Sequence, residues 1–186
     1  MLAEYPLLPI EAKEIVDYTI KETLRGNPEL RVKGKVIKPK QINFWFLTWS
    51  DIILLRLAIA DQNMLDVLSI VFQIGKKEFI KLELFNAYAA YTWIVNQFKT
   101  IIDTEIEQLA SELSEEEKDA GAEDLQEFGY TVALDGLAKG DLLKYDDYLM
   151  LPYSKVFRKM CLDKTKYDIN KQLQENASRK YQALNQ

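Results

Sequence analysis

The chain has 186 residues, 48% of them hydrophobic, and a formal net charge of −5 at pH 7. This length and composition predict a soluble globular protein, with one domain as the expectation and enough apolar residues for a core. Histidine is absent, which excludes catalytic triads and zinc sites that depend on it. The single cysteine, Cys161, has no partner for an internal disulfide. We therefore expect a reducing compartment and a thiol that packs as a small core residue.

Neither a secretory signal nor a membrane-spanning helix is predicted. Residues 1–9 lack a basic region and contain two prolines, unlike a signal peptide. The most apolar stretch, residues 44–60, is interrupted by Asp51 and Arg56. It is also shorter than the roughly 20 apolar residues that cross a membrane. We expect a buried helix here, no membrane partner and no secretion through a signal peptide.

The N-terminal half is expected to combine short helices with one hairpin. Residues 9–24 place apolar side chains on one helical face, and a Gly-Asn-Pro sequence ends this helix. Residues 30–37 alternate between apolar and basic types, which predicts a small β-hairpin with Gly34 at its turn. Thr48 or Ser50 is the expected N-cap of a helix that continues to residue 60, and residues 65–72 predict another short helix.

The longest element is predicted where apolar residues recur every three or four positions, up to Leu113. The expected fold is therefore mainly α-helical, organised around one long helix of about residues 79–113, with the small hairpin near 30–37. We predict a helical core with a basic hairpin segment over residues 1–113 and an acidic linker over 114–127. A C-terminal helical docking module is expected over 128–186. A solvated helix extension followed by a turn is the other interpretation of 114–127.

The C-terminal module is predicted to bend at Pro152. Gly140 stops one helix, and Pro152 opens the last one after an extended Leu151. The aromatic and flexible apolar side chains around this bend are suited to binding a partner. The predicted partner-binding residues are Tyr145, Tyr148, Met150, Tyr153 and Phe157. The alternative is that these residues close the core against the long helix.

No arrangement of residues predicts catalysis, a cofactor or a metal. Asp146 and Asp147 are adjacent, so on a helix they point about 100° apart and cannot share one metal ion. Glu115, Glu116 and Glu117 lack the alternating ligand spacing of a calcium loop. The Gly-Lys pair at Gly34 is not followed by the Ser or Thr and the helix of a phosphate-binding loop. We expect a protein that is not an enzyme.

A basic segment precedes a group of aromatic residues. Its members, opposed only by Glu29, are Arg25, Arg31, Lys33, Lys35, Lys38 and Lys40, and they are followed by Phe44, Trp45, Phe46 and Trp49. Basic groups neutralise phosphates and aromatic rings stack on bases, so single-stranded nucleic acid or an acidic partner fits this pattern. The alternative is that the lysines are solvated and the aromatic residues enter the core.

Charge is separated along the chain. Residues 103–127 contain 11 acids and one base, whereas residues 155–180 contain eight bases and three acids. Opposite charges of this kind favour head-to-tail association of copies into rings or filaments. They are equally compatible with a contact inside one chain.

The order of parts in the C-terminal third resembles a known class of proteins. These parts are Phe128-Gly129, Leu134-Asp135, Leu137–Asp141, Tyr145-Asp146, Leu151-Pro152-Tyr153 and Val156-Phe157, followed by a charged helix. They resemble the C-terminal module of small structural or assembly proteins of tailed bacteriophages, including tail-assembly-chaperone-like proteins. The stretch LTWSDIILLRLAIAD at residues 47–61 is similar to helix openings in such proteins.

The resemblance implies a non-enzymatic protein that acts through protein–protein contacts. It would be either a virion component near the portal, neck or tail, or a chaperone that leaves after assembly. Its partners would be other phage structural proteins, and it would be located in the virion or in the host cytoplasm. The alternative function is a helical nucleic-acid-binding or regulatory protein that uses residues 25–40 and the basic C-terminal helix.

Overall fold

The computed structural model describes residues 29–111 and 113–184. The helix predicted for residues 9–24 and the basic residue Arg25 lie outside this part of the chain. The fold is mainly α-helical with one small antiparallel hairpin, which confirms the predicted fold class.

The strands are β1 (Leu30–Val32) and β2 (Lys35–Ile37). The α-helices are α1 (Trp49–Ala60), α2 (Met64–Phe72), α3 (Lys76–Phe79), α4 (Leu84–Leu109), α5 (Glu115–Asp119), α6 (Tyr130–Ala138), α7 (Tyr145–Leu149) and α8 (Tyr153–Leu184). Short 3₁₀ helices are η1 (Phe44–Phe46), η2 (Ala122–Phe128) and η3 (Leu142–Lys144).

The hairpin turns at Lys33 and Gly34, as the sequence predicts. Both residues have positive φ, 49° and 80°, which matches the two-residue turn whose twist suits an antiparallel pair. Leu30 pairs with Ile37 across the strands. Leu30 and Val32 are buried, so the apolar positions of β1 attach the hairpin to its unit.

Side-chain caps determine where the next helices begin. The Thr48 hydroxyl accepts the N–H of Asp51 at 3.2 Å, and the Asp51 carboxylate accepts the N–H of Thr48 at 3.2 Å. This reciprocal arrangement confirms Thr48 as the cap of α1. Asn63 caps α2 in a similar way by accepting the N–H of Asp66 at 3.2 Å. Gln73, in a left-handed conformation, ends α2.

The predicted long helix is α4, and its observed bounds are Leu84–Leu109. Residues upstream of Leu84 form the separate short helix α3, because the chain leaves the helical path after Ile80. Leu82 instead forms a bridge with Val32. A backbone position paired in this way cannot continue an α-helix, which explains the later start.

The described residues divide into two compact units, one comprising residues 29–44 and Leu54–Thr100, the other Trp45–Ile53 and residues 101–184. Each has its own buried apolar residues. Those in the described part of the first unit include Leu30, Val67, Leu68, Val71, Ile94 and Phe98. The Phe44 ring meets Trp93 edge to face there, with centroids 5.2 Å apart. The three-part organisation expected from the sequence stays a prediction.

In the second unit, the start of α8 is attached to the segment that precedes α1. The N–H of Tyr153 donates to the carbonyl of Leu47 at 2.8 Å, and the N–H of Trp49 donates to the carbonyl of Leu151 at 2.9 Å. Buried Leu47, Ile101, Leu134 and Val156 contribute to the core of this unit.

The acid-rich segment 114–127 has regular structure, namely α5 and most of η2. The Ser114 hydroxyl accepts the N–H of Glu117 at 3.3 Å, and the Glu117 carboxylate accepts the N–H of Ser114 at 2.7 Å. This capping box stabilises a short helix despite its repelling acidic side chains.

Within residues 29–111 and 113–184, no helix combines the length and apolar character that crossing a membrane requires. The thiol of Cys161 is only partly buried and lies 3.5 Å from Oε1 of Gln108. It is therefore less enclosed than the core position expected from the sequence.

Candidate partner-binding surface

The region around η3 is built by a tight chain reversal. Lys139 and Gly140 take left-handed conformations, with φ of 57° and 75°, and end α6. Asp141 then caps η3 by accepting the N–H of Leu143 at 3.2 Å, and it pairs with Lys144 at 2.8 Å. The hydrogen bonds from Lys144 and from the N–H of Leu143 lower the pKa of Asp141. Asp141 therefore stays charged at neutral pH and holds this turn in place.

Tyr145 connects α7 to α6. Its hydroxyl donates to Oδ1 of Asp135 at 2.7 Å. This hydrogen bond raises the pKa of Tyr145, because ionisation of the phenol would remove the donated proton. Tyr145 and Tyr148 are both partly buried, whereas Met150 is 68% exposed. The structure thus brings these three predicted residues together on and beside one short helix.

Tyr153 and Phe157 are part of the core, which corrects their prediction as surface residues. They are only 2% and 8% exposed. Tyr153 stacks against Trp45 with ring centroids 5.7 Å apart, and Phe157 lies 5.0 Å from the same ring. The Tyr153 hydroxyl donates to Glu105. The physical reason is that α8 starts immediately after Pro152, and the side of its first turns that carries Tyr153 and Phe157 faces the core.

Two surface leucines were missed by the sequence analysis. Leu142 is 72% exposed and Leu143 is 91% exposed. The pattern of residues 141–151 predicts a helix after the stop at Gly140. The structure instead has the 3₁₀ helix η3 at Leu142–Lys144, where both leucines are exposed. We call the group formed by Leu142, Leu143 and Met150 the η3 apolar surface.

A polar groove of about 780 Å³ lies between α5 and α8. At its centre, Glu117 accepts hydrogen bonds from the hydroxyl of Tyr167 and from Nζ of Lys171, the latter at 3.0 Å. Together with the Ser114 hydrogen bonds, these donors hold the pKa of Glu117 far below its ordinary value. A carboxylate with such a low pKa is a poor general base at neutral pH. The hydrogen bonds of Glu117 with Tyr167 and Lys171 therefore serve to join α5 to α8 within this groove.

The contact between Glu117 and Lys171 also concerns the separation of charge between residues 103–127 and 155–180. Glu117 belongs to the acidic segment and Lys171 to the basic helix, so the two segments do meet inside one chain at this position. In the described ranges, no group of three or more acidic or cysteine side chains could hold a metal ion.

The basic residues of the hairpin segment are exposed but do not form one face. Arg31, Lys33, Lys35 and Lys38 are exposed, and Lys40 is partly buried. Arg31 is paired with Val36 and Lys35 with Val32. Successive side chains of a strand point to opposite sides, so Arg31 and Lys35 lie on different faces of the hairpin.

Most of the aromatic residues that follow the basic segment pack against other residues of the protein. Phe44 and Trp49 are buried, at 2% and 4% exposure. Trp45 stacks on Tyr153. Only Phe46, of the four residues in this group, has a largely exposed ring. These rings contribute mainly to packing, and little aromatic surface remains for stacking on bases.

Comparison with protein-family models, with curated protein sequences and with solved structures finds no match for this chain.

Proposed function

We propose that this chain is a non-enzymatic structural or assembly protein of the tailed-bacteriophage type and that it acts through protein–protein contacts. The observation that carries the proposal is the η3 apolar surface, where three large apolar side chains are more than two-thirds exposed. Single exposed apolar side chains are common, but three that are largely exposed between positions 142 and 150 favour an interaction site.

The scaffold beneath this surface favours binding without a large loss of conformational freedom. Asp141 fixes η3 through its cap and its ion pair, and Tyr145 ties α7 to α6. A surface that is ordered before binding loses less entropy when a partner docks. Met150 adds an adaptable side chain that can fit an irregular apolar partner.

The partners proposed are other structural proteins of the phage, and the location proposed is the virion or the host cytoplasm. Two versions of the role differ in a simple observable. A virion component near the portal, neck or tail remains in purified particles, whereas an assembly chaperone leaves before particles are complete. Mass analysis of purified particles separates the two versions.

The experiment replaces Leu143 and Met150 together with Ser. We expect loss of incorporation into particles, or of co-purification with a phage structural protein, by at least tenfold, since apolar contacts at an interface centre dominate affinity. Thermal stability should be nearly unchanged, because both side chains are exposed. Normal association of this double variant would overturn the proposal.

Ile80→Ser is the matched control, because Ile80 is 70% exposed and belongs to the other unit. It should leave association unchanged. If Ile80→Ser impairs association as much as the double variant, general loss of surface hydrophobicity explains the result and the η3 apolar surface is not the site.

The alternative function is a helical nucleic-acid-binding or regulatory protein. Its support is the exposure of Arg31, Lys33, Lys35 and Lys38, together with the excess of basic residues in α8. Binding of a single-stranded oligonucleotide would weaken steeply with salt. Replacing Lys33 and Lys35 with Glu should then reduce binding further, and absence of binding at low salt would exclude this function.

A further inference from the structure

The outer face of α8 combines apolar and basic side chains that nothing in the same chain covers among the described residues. Leu162, Ile169 and Leu173 are spaced by seven and four residues, so they share one side of the helix. They are 49%, 52% and 61% exposed. Lys155 and Lys166 lie along the same side by helical spacing, and both are exposed.

The opposite side of α8 is the one that packs inside the protein. Tyr153, Val156 and Phe157 are buried at its start, and Tyr167 and Lys171 contact Glu117 further along. Ile169 and Leu173 each lie two positions from Lys171, which corresponds to about 200° of helical rotation, so they point away from Glu117. The acidic segment of the same chain therefore contacts the inner side of α8, and the outer side is left for another molecule.

Charge indicates what kind of molecule fits this outer side. Helix α8 contains eight basic and three acidic residues. Several of these form ion pairs within the helix, such as Lys159 with Asp163 and Lys164 with Asp168. Lys155, Arg158, Lys166 and Lys180 are exposed. A second α8 placed against this side would meet like charges, so the partner surface must be acidic.

The chain itself carries an acidic surface with matching apolar side chains. Leu125 and Phe128 in η2 are 53% and 60% exposed, and a spacing of three residues aligns them on one edge of a 3₁₀ helix. Glu123, Asp124 and Glu127 are exposed beside them. We call these five residues the η2 ridge. The η2 ridge presents apolar side chains next to negative charge, whereas the outer side of α8 presents apolar side chains next to positive charge.

We propose that the outer side of α8 in one copy of this chain docks on the η2 ridge of a second copy. The two surfaces are different, so the contact is head to tail, and each added copy leaves one surface of each kind open. The geometry therefore builds a ring where the rotation closes and a filament where it does not. This self-association uses residues distinct from the η3 apolar surface and stands whether or not that surface binds a phage protein.

The test is sedimentation of the full chain at several concentrations, at low and at moderate salt. We expect the average mass to rise with concentration and the association constant to fall at least tenfold between the two salt conditions, because the paired charges are solvent-exposed. Association that does not respond to salt, or a monomer under every condition, would overturn the proposal.

Charge reversal locates the two surfaces. One variant carries Lys155→Glu, Lys166→Glu and Lys180→Glu, and the other carries Glu123→Lys, Asp124→Lys and Glu127→Lys. Each alone should associate at least tenfold more weakly than the unmodified chain, whereas an equimolar mixture should recover association, since each variant then meets a complementary surface on the other. Failure of the mixture to associate would contradict the assignment.

Two controls keep the outcome interpretable. Lys33→Glu, Lys35→Glu and Lys38→Glu together change the net charge by the same amount as the α8 variant and should leave association unchanged. Circular dichroism should show equal helicity in all variants, and the single substitution Lys166→Glu serves if a triple variant does not fold. If the monomer instead binds phosphatidylserine vesicles through the α8 lysines, a membrane surface is the occupant and the proposal is wrong.

Discussion

At the scale of single residues, Glu117 shows how one carboxylate organises its surroundings. It accepts the N–H of Ser114, the N-cap of α5, and it connects that helix to α8 through Tyr167 and Lys171. The donated hydrogen bonds favour the ionised form, which lowers its pKa. Sequence alone suggested only a solvated acidic run here, because the two partners on α8 lie 50 and 54 positions away along the chain.

We predict that Glu117→Gln lowers the melting temperature at pH 7 and has progressively less effect in acid. The folded-state pKa lies below the ordinary value of 4.5, so the stabilisation from Glu117 is present above that pH and is lost as the pH falls through the folded-state pKa. Thermal melts of both proteins between pH 7 and pH 3 check this. A melting-temperature difference that stays constant over the range would refute it.

Tyr153 supplies a second prediction at this scale. Tyr153→Phe keeps the ring stacked on Trp45 and removes the hydroxyl that donates to Glu105. We expect a loss of about 1 kcal/mol of unfolding free energy, typical of one hydrogen bond. Association with particles should be unaffected, because the side chain is 2% exposed. Denaturant unfolding provides the measurement, and impaired association at unchanged stability would return Tyr153 to the partner surface.

At the scale of elements, local chemistry decides where helices stop. Gly140 adopts φ of 75° directly after the left-handed Lys139, and this pair produces the reversal between α6 and η3. Gly136 lies inside α6, and a side chain added there would meet nothing within 4 Å. The two glycines are four residues apart but differ in the backbone conformation they require.

Alanine at these two positions should have opposite effects. Gly140→Ala is expected to destabilise the protein by about 1 kcal/mol, because a Cβ in the left-handed region is strained. Gly136→Ala should stabilise it by roughly 0.5–1 kcal/mol through better helix propensity. Chemical denaturation of both variants distinguishes them, and stabilisation by Gly140→Ala would show that this turn does not need a glycine.

At the scale of the whole molecule, two phenylalanines of α4 differ in how much of their side chain is exposed. Phe98 is 2% exposed and Phe85 is 61% exposed, and both belong to the same compact unit. The two side chains have the same composition and are on the same helix. Any difference in their contribution to stability therefore reports on the tertiary environment.

We predict that Phe98→Ala costs about 3–5 kcal/mol of unfolding free energy, because it leaves a cavity in a packed core. Phe85→Ala should change stability by less than about 0.5 kcal/mol. Equilibrium unfolding by guanidinium gives both values. Comparable losses for the two variants would contradict the assigned core.

Local sequence determined the hairpin turn, the cap of α1 and the mainly helical fold. The Lys33-Gly34 turn, the reciprocal hydrogen bonds of Thr48 and Asp51, and the apolar periodicity of α4 all depend on residues close together in the chain. Such short-range interactions can be predicted without knowing the fold. The end of α4 at Leu109 differs from the predicted end near Leu113, because the apolar periodicity continues beyond the last helical residue.

Only the tertiary structure decided which side chains are available to a partner. Tyr148 and Tyr153 have similar sequence surroundings, yet Tyr153 is enclosed by Trp45 and Glu105 from distant parts of the chain. Leu142 and Leu143 are exposed because a 3₁₀ turn replaced the expected α-helix. Burial depends on contacts between residues far apart in sequence, and periodicity carries no information about which of those contacts form.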